Sequence, residues 1–307
     1  MGKLADGSMQ TGYRERYRLL AVWPPEGRVQ LTPASGAGPV AGLFGRNVMD
    51  FGIAGRKAIV CASSRGLGRG CALALARAGC EVVVNGRDPA RVEATVATLR
   101  SATGASIVPV VANVSTAEGQ AALLAACPEP DILVNNNAGP PLRDFRELGR
   151  EQILEGVVAN MVVAIELVQQ VLDGMTRRRF GRIVNITSGS VKMPLAGLDL
   201  SSGARAGLTG FMAGIARSVA SANVTINFLL PGAFATDRLE STITGGAARR
   251  GVSPDVERAE RMAAIPAQRF GDPEEFGAAC AFLCSARAGY ITGQNLLIDG
   301  GLFPGMF

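Results

Sequence analysis

Residues 57–68 read KAIVCASSRGLG, a short apolar run followed at once by a glycine-rich turn. The apolar run predicts a buried strand at 57–61. Glycines in the turn allow the backbone to bend sharply and to approach a bound pyrophosphate, which the free N–H groups of a following helix stabilise. An Ala- and Leu-rich segment at 67–78 predicts that helix. Strand, turn and helix together indicate a dinucleotide-binding unit.

The turn after the second predicted strand indicates which dinucleotide is bound. This strand covers 81–85 and ends in Asn85-Gly86-Arg87, without the carboxylate that an NAD site places there to hold the ribose 2′-hydroxyl. Arg87 instead offers a planar cation that suits a 2′-phosphate, and Arg65 in the glycine-rich turn would bracket it. We therefore predict NADP(H) as the cofactor, the alternative being two surface arginines in turns.

Strand-like and helix-like segments alternate through the chain from residue 51 onward. The predicted strands are 57–61, 81–85, 107–111, 132–135, 183–186, 224–230 and 295–298. Predicted helices cover 67–78, 89–101, a segment near 121, 152–175, 202–219 and a last one beginning near 273. Apolar strands separated by helices are typical of a parallel sheet covered on both faces. This pattern predicts that residues 51–307 form one α/β domain, a Rossmann-type doubly wound parallel sheet of about seven strands.

Residues 1–50 differ from this domain in composition. They are rich in Gly, Pro, Arg and Ser, and their longest apolar run, 19–23, is shorter than the roughly 7–15 residues of a signal-peptide core. We predict a poorly ordered N-terminal extension. Met49 stands directly before the first predicted element, so a start at this residue is an alternative to a native extension.

The composition excludes several classes of site. The chain has no histidine, which excludes a Ser-His-Asp hydrolase, a His-ligated zinc enzyme and a histidine general base. No stretch approaches the roughly 20 apolar residues of a membrane span, so no membrane partner is predicted. The six cysteines form no CxxC pair, and buried thiols in a reducing cytoplasm are favoured over a metal or redox pair at Cys280 and Cys284. We predict no metal and a cytoplasmic location.

The charge balance is a weak indication of partners. The net charge is +5, and the densest basic cluster is Arg177, Arg178, Arg179 and Arg182. Binding to single-stranded nucleic acid would call for interleaved aromatic residues, which this cluster lacks. A solvated turn between a helix and a strand is favoured, and no nucleic-acid partner is predicted.

Motifs along residues 52–303 resemble those of the short-chain dehydrogenase/reductase family, and within it the 3-oxoacyl-(acyl-carrier-protein) reductases. The matching segments are 61–68 for the glycine-rich turn, 113–115 for the adenine-contacting turn, DILVNNNAG at 131–139, GRIVNITS at 181–188, 227–236 for the nicotinamide and pyrophosphate segment, and 269–275 with 291–301 near the C-terminus. The segment 131–139 either carries an extra Asn or has Asn137 and Ala138 in place of the family's Ala and Gly, which leaves its register open by one residue.

The resemblance implies a set of residues that bind the cofactor. They are Ser63, Ser64, Arg65, Gly66, Leu67, Gly68, Arg87, Asn113, Val114, Asn136, Ala138, Gly139, Arg205, Pro231, Gly232, Phe234 and Thr236. It also implies that the turn at 139–141 and the segment 237–267 border the substrate. The small and charged residues of 237–267 suggest a mobile lid.

The active-site residues that the resemblance implies differ from those of the family. Asn160 and Ser188 stand where the family has its catalytic Asn and Ser, but Ser201 and Arg205 replace the family's Tyr and Lys. A serine hydroxyl is a far weaker acid than a phenol, and Arg holds its proton at ordinary pH. Arg205 would still bind the ribose and a developing oxyanion. Lys192 is a candidate proton donor, the alternative being an exposed loop lysine.

Two functions remain open at this level. The first is an NADP(H)-dependent oxidoreductase that interconverts a carbonyl and an alcohol, with a 3-oxoacyl thioester as the substrate suggested by the resemblance. The second is a catalytically silent NADP(H)-binding redox sensor or assembly partner, favoured by the loss of Tyr and Lys beside an intact glycine-rich turn. The resemblance also implies a homodimer or homotetramer, with 152–175 and 202–219 as candidate contact helices.

Overall fold

Seven parallel strands form the centre of the structure, a computed structural model that describes residues 50–140 and 142–306. They are β1 (Lys57–Val60), β2 (Glu81–Gly86), β3 (Ile107–Val111), β4 (Ile132–Asn135), β5 (Gly181–Ile186), β6 (Val224–Pro231) and β7 (Asn295–Ile298). Their order in the sheet is β3-β2-β1-β4-β5-β6-β7, which confirms the predicted doubly wound parallel sheet. The predicted extension at 1–50 lies almost wholly outside the described residues.

Nine α-helices connect and flank the strands within the described residues. They are α1 (Gly66–Arg77), α2 (Pro89–Thr103), α3 (Ala117–Ala126), α4 (Arg150–Val157), α5 (Val163–Arg178), α6 (Asp199–Val219), α7 (Asp237–Arg250), α8 (Pro254–Ala263) and α9 (Pro273–Cys284). In the part of the chain that the structure describes, none of the helices is both long and apolar enough to cross a membrane.

Two sequence predictions about helices were incomplete. The helix predicted at 152–175 is divided into α4 and α5 by a π-helical turn at Val158–Val162. The segment 237–267, for which no helix was predicted, contains α7 and α8, which the side chains of Thr236 and Ser253 cap, and its role as a mobile lid stays a prediction. Arg258 of α8 donates two hydrogen bonds of 2.6 Å to Glu240 of α7, a cross-helix ion pair that hydropathy patterns do not register.

The apolar core lies in two layers, one on each face of the sheet. One layer packs the sheet against α1, α2 and α9, and the other packs it against α3, α5 and α6. Gly70 of α1 meets α9 so closely that a methyl group on its Cα would lie 2.1 Å from the carbonyl oxygen of Pro273. The strand order reverses between β1 and β4, so the crevice beyond their carboxyl ends is where a ligand of this sheet type binds.

Candidate cofactor and active site

The glycine-rich turn has backbone geometry that only small residues permit. Gly66 has a φ of +57°, in the left-handed region, and begins α1. A methyl group on the Cα of Gly68 would lie 2.5 Å from the carbonyl oxygen of Ala62 and 2.9 Å from Asn136 Nδ2. No side chain caps the first turn of α1, so its N–H groups face the crevice. These features fit the pyrophosphate of a dinucleotide.

Ser63 and Asn85 hold this turn against the sheet. Ser63 is fully buried, and its Oγ donates to the Val60 carbonyl at 2.6 Å while accepting from Asn85 N at 2.9 Å. The Asn85 side chain accepts from Ala62 N at 3.0 Å and donates to the carbonyls of Val110 and Ala112. Ser63 therefore positions the turn from within the core, whereas the predicted contacts Ser64, Arg65 and Leu67 keep exposed surface. Sequence reasoning missed that Asn85 connects the glycine-rich turn at Ala62 to Val110 and Ala112.

The predicted 2′-phosphate residues lie at the surface beside this turn. Arg87 is exposed just beyond the end of β2. Arg65 is exposed and lies 3.5 Å from a carboxylate oxygen of Asp237, which also lies 3.5 Å from Arg91. Such exposed ion pairs contribute at most about 1 kcal/mol, so Arg65 remains available to another anion. With a neutral amide at Asn85, the arrangement fits a dinucleotide that carries a 2′-phosphate.

The three asparagines whose register the sequence left open lie at the end of β4 and in the loop after it. Asn135 ends β4 opposite Asn185, and Asn136 donates to the Ala62 carbonyl at 3.2 Å. Asn137 lies beyond the strand, where it donates to Ser115 Oγ at 2.8 Å and to the Ala159 carbonyl at 3.1 Å. The third Asn therefore ties this loop to the turn at 113–115, and Ala138 and Gly139 follow it into the crevice.

The remaining predicted cofactor residues surround the crevice in different ways. Asn113 is exposed and its side chain accepts from Ser115 N at 3.1 Å, whereas Val114 is buried. Pro231 ends β6, and Gly232 N donates to the Ile298 carbonyl at 2.8 Å. The ring of Phe234 is buried against Phe276, so only its backbone is open to a ligand. Thr236 caps α7 and lies beside Gly66.

Helix α6 brings Ser201 and Arg205 to the end of β5. Both side chains are buried, and Arg205 Nε donates to Ser201 Oγ at 3.2 Å while its Nη1 donates to the Ile186 carbonyl at 2.8 Å. Ser188 follows β5, partly exposed, and its Oγ accepts from Ser190 N at 3.1 Å and lies 2.9 Å from Ser190 Oγ. Ser188, Ser201 and Arg205 therefore lie at the carboxyl end of β5, and Ser190 is a neighbour that sequence reasoning missed.

Burial and a neighbouring cation change the acidity of Arg205. Removal from water, and then the positive charge of Arg238, lower the pKa of Arg205 to about 10. The group is still a cation at pH 7, so it can stabilise negative charge but is a poor proton donor. Because the folded-state pKa is below its ordinary value, the buried charge destabilises the fold at neutral pH, and this cost falls as the pH rises above 10.

Asn160 lies in the π-helical turn, buried, and its Nδ2 donates to the Gly156 carbonyl at 3.1 Å. Its Oδ1 and that of Asn135 have no hydrogen-bond partner among the described residues. Both side chains and Arg205 line a cavity of about 20 Å³, a volume that suits a single water molecule. The predicted Asn160 site is thus connected to Arg205 through this cavity.

Lys192 occupies a different environment from Ser201. Its Nζ lies 6.0 Å from the centre of the Phe303 ring, and it makes no hydrogen bond to Ser188 or Ser201 among the residues described. Its role as a proton donor stays a prediction.

All six cysteines are buried thiols, as predicted. Burial raises the pKa of Cys61 and of Cys80 to about 12, so both are protonated at neutral pH. Within residues 50–140 and 142–306, no group of His, Cys, Asp or Glu side chains could hold a metal ion.

Arg238, in the first turn of α7, is a crevice residue that the sequence analysis did not single out. Its Nη1 donates to the Gly139 carbonyl at 3.1 Å and its Nη2 to the Pro140 carbonyl at 2.8 Å. One feature of the sequence could have identified Arg238: it lies two residues after Thr236, in the segment predicted to border the substrate.

Comparison with known proteins agrees with this architecture. A family model described as enoyl-(acyl carrier protein) reductase matches residues 61–303. The chain is 33% identical over 253 residues to the 3-oxoacyl-(acyl-carrier-protein) reductase FabG of Vibrio cholerae, a match that covers 81% of this chain and 98% of the relative. It is 30% identical over 251 residues to the NADPH-dependent reductase BacG of Bacillus subtilis, covering 80% and 97%.

Among solved structures, the fold resembles L-sorbose reductase from Gluconobacter frateurii, crystallised with NADPH and L-sorbose. The TM-score is 0.79 at 27% identity, covering 84% of this chain and 100% of that one. The matched family model, the curated relatives and the shared fold all confirm the family that the sequence motifs suggested. The chain therefore belongs to the short-chain dehydrogenase/reductase family, among the members that are similar to 3-oxoacyl-(acyl-carrier-protein) reductases.

Proposed function

We propose that the protein is an NADP(H)-dependent oxidoreductase that interconverts a carbonyl and an alcohol. One observation carries the proposal: the loop after β4 connects the glycine-rich turn to the Ser201–Arg205 pair. Asn136 bonds the Ala62 carbonyl, and a methyl group on the Cα of Gly139 would lie 3.6 Å from Arg205 Nη2. The cofactor residues and the polar active-site residues therefore border one crevice. The NADPH-dependent reductases among the relatives support the choice of reaction and cofactor.

Different side chains of this crevice would have different roles in such a reaction. The α1 N-terminus would hold the pyrophosphate of NADPH, and Arg65 and Arg87 would hold its 2′-phosphate. The cofactor would supply the hydride when bound. The hydroxyls of Ser188 and Ser201 would hydrogen-bond the carbonyl oxygen. Arg205 would stabilise the negative charge that develops there. The proton would come from a hydroxyl, from Lys192 or from water in the cavity beside Asn160, because Ser201 is a weaker acid than the family's Tyr.

The relatives suggest a class of substrate. The similarity to FabG supports a 3-oxoacyl thioester as one candidate substrate. The turn after β4 and helices α7 and α8 would border this substrate.

The exposed apolar side chains Ile153, Leu154 and Phe211 on α4 and α6 support the predicted homodimer or homotetramer. The cytoplasmic location stays a prediction.

Substitution of Ser188 tests the enzyme directly. We expect NADPH-dependent turnover across a panel of ketones, quinones and 3-oxoacyl thioesters, followed by absorbance. Ser188→Ala should lower kcat by about 10²-fold or more, because it removes a hydrogen-bond donor from the carbonyl oxygen. Ser202→Ala is the matched control, since Ser202 Oγ donates to the Leu198 carbonyl within α6 at 2.9 Å. Turnover that survives Ser188→Ala would contradict the proposed site.

Loss of Arg87 tests the cofactor preference. Arg87→Ala should raise the Kd for NADPH roughly 10- to 100-fold, the worth of a charge-assisted hydrogen bond, and leave the Kd for NADH within about twofold. Fluorescence titration of both nucleotides measures this, with Arg287→Ala as a control that removes an exposed arginine elsewhere. Equal Kd values for NADPH and NADH in the native protein would contradict the preference.

The silent NADP(H)-binding protein remains the second candidate. The absence of a tyrosine at position 201 and of a lysine at position 205, beside an intact glycine-rich turn, favours it. Both candidates predict cofactor binding, so that measurement does not separate them. Native protein that binds NADPH and turns over nothing in the panel would support the silent protein.

A further inference from the structure

Two arginine side chains from different helices meet beside Gly139. A methyl group built on the Cα of Gly139 would lie 3.4 Å from Arg238 Nη2 and 3.6 Å from Arg205 Nη2. Arg205 comes from α6, beside Ser201, and Arg238 comes from α7 on the other side of the crevice. Two guanidinium groups therefore border one point close to the proposed site of the carbonyl.

Among residues 50–140 and 142–306, no carboxylate balances either charge. Arg205 donates to a hydroxyl and a carbonyl, and Arg238 donates to the carbonyls of Gly139 and Pro140. None of the ion pairs found among the described residues includes either arginine. A buried cation beside a second cation is unfavourable unless an anion compensates both. The pair is thus arranged to bind an anion.

The first turn of α7 separates this anion position from the cofactor phosphates. Thr236 lies beside Gly66 of the glycine-rich turn, and Asp237 lies within ion-pair distance of Arg65 and Arg91. Arg238 extends to the opposite side, toward Gly139 and Arg205. The anion position thus lies on the Gly139 side of α7, away from the Arg65 side where the 2′-phosphate is expected.

We propose that Arg238 and Arg205 bind a carboxylate on the substrate, so that the protein reduces oxo acids or oxidises the matching hydroxy acids. The inference rests on the proposed function and deepens it. A guanidinium has five N–H donors, so those that Ser201 and the carbonyls of Ile186, Gly139 and Pro140 do not use remain for the oxygens of a carboxylate. The chemistry is otherwise unchanged: the carbonyl carbon gains a hydride from NADPH, its oxygen gains a proton, NADP⁺ is released and the carboxylate is retained.

A pair of substrates that differ in charge tests the proposal. Acetoacetate and ethyl acetoacetate carry the same ketone, with and without a carboxylate. We expect native protein to prefer acetoacetate in kcat/KM by roughly 10- to 100-fold, as charge-assisted hydrogen bonds would give. Arg238→Gln should lower that ratio at least tenfold by raising KM for acetoacetate, and Arg238→Lys should restore part of it. Arg249→Gln, which removes a charge at the far end of α7, should leave the ratio unchanged.

A binding measurement gives a readout that does not require turnover. We expect malonate to bind the NADPH-loaded protein in a calorimetric titration, and Arg238→Gln to weaken that binding at least tenfold without changing the Kd for NADPH. A native acid-to-ester ratio near one, or malonate binding unaffected by Arg238→Gln, would overturn the proposal. So would a weaker Kd for NADPH in Arg238→Gln, since the pair would then serve the cofactor. Malonate binding that depends on Arg238, without turnover of any carbonyl, would support the anion site and refute the proposed reaction.

Discussion

Replacing Ser201 by Tyr and Arg205 by Lys in one protein is expected to raise kcat for ketone reduction by about 10²- to 10⁴-fold. Ser201 and Arg205 are buried together at the end of β5, with Arg205 Nε donating to Ser201 Oγ. The double variant would place a phenol, whose reference pKa of about 10 a nearby ammonium lowers, where the native protein has a far weaker acid. Initial rates of NADPH oxidation with ethyl acetoacetate, at saturating NADPH, measure the gain.

The two single variants are the controls for this gain. Arg205→Lys alone keeps a cation but adds no phenol, so its kcat should stay well below that of the double variant. Ser201→Tyr alone keeps Arg205 as the neighbour of the phenol and should give an intermediate rate. A folded double variant with unchanged kcat would contradict the prediction, because proton donation at residue 201 would then not limit the rate. Circular dichroism and thermal melting establish that each variant is folded.

Gly68→Ala is expected to lower the free energy of unfolding by about 2–3 kcal/mol and to weaken NADPH binding at least roughly tenfold. A methyl group at this position would lie 2.5 Å from the Ala62 carbonyl oxygen, which is main chain and cannot move without shifting the turn. The turn would then present its N–H groups to the pyrophosphate in altered positions. Urea unfolding gives the stability, and NADPH fluorescence titration gives the Kd.

Gly245→Ala is the matched control for the loss of stability. Gly245 lies inside α7, and a methyl group there would only contact the flexible end of Arg249 at 3.6 Å. Replacing a helical glycine by alanine in open space is expected to raise the free energy of unfolding by about 0.5–1 kcal/mol. If both alanine variants changed stability by the same amount and in the same direction, the close packing of Gly68 would not explain the result.

The strands were predictable because parallel strands buried on both faces consist of continuous apolar residues. Val82, Val83 and Val84 in β2, and Ile132, Leu133 and Val134 in β4, are buried and stand out in the sequence. Helices α7 and α8 escaped prediction since their segments consist largely of polar and charged residues. Local caps at Thr236 and Ser253 hold their first turns, whereas the ion pair of Arg258 with Glu240 joins residues 18 positions apart in the chain.

The π-helical turn could not be predicted for a related reason. Val158–Val162 has the residues of an ordinary helix, and its backbone departs from α geometry within a continuous helical run. Asn160 is buried there with one hydrogen bond to the Gly156 carbonyl. The turn packs against α6, which is distant in the chain, and such a contact cannot be predicted from neighbouring residues.

The sequence by itself determined the family, the parallel α/β sheet and the linear positions of Ser188, Ser201 and Arg205, because motif spacing and apolar runs are properties of neighbouring residues. Tertiary structure alone decided which charges share the crevice. Arg238 and Gly139 are 99 residues apart in the chain, and they meet because α7 and the loop after β4 lie at the same carboxyl edge of the sheet. The same contact between α7 and the loop after β4 brings the positive charges of Arg205 and Arg238 together. Such an electrostatic interaction depends on distance in space rather than on distance along the chain.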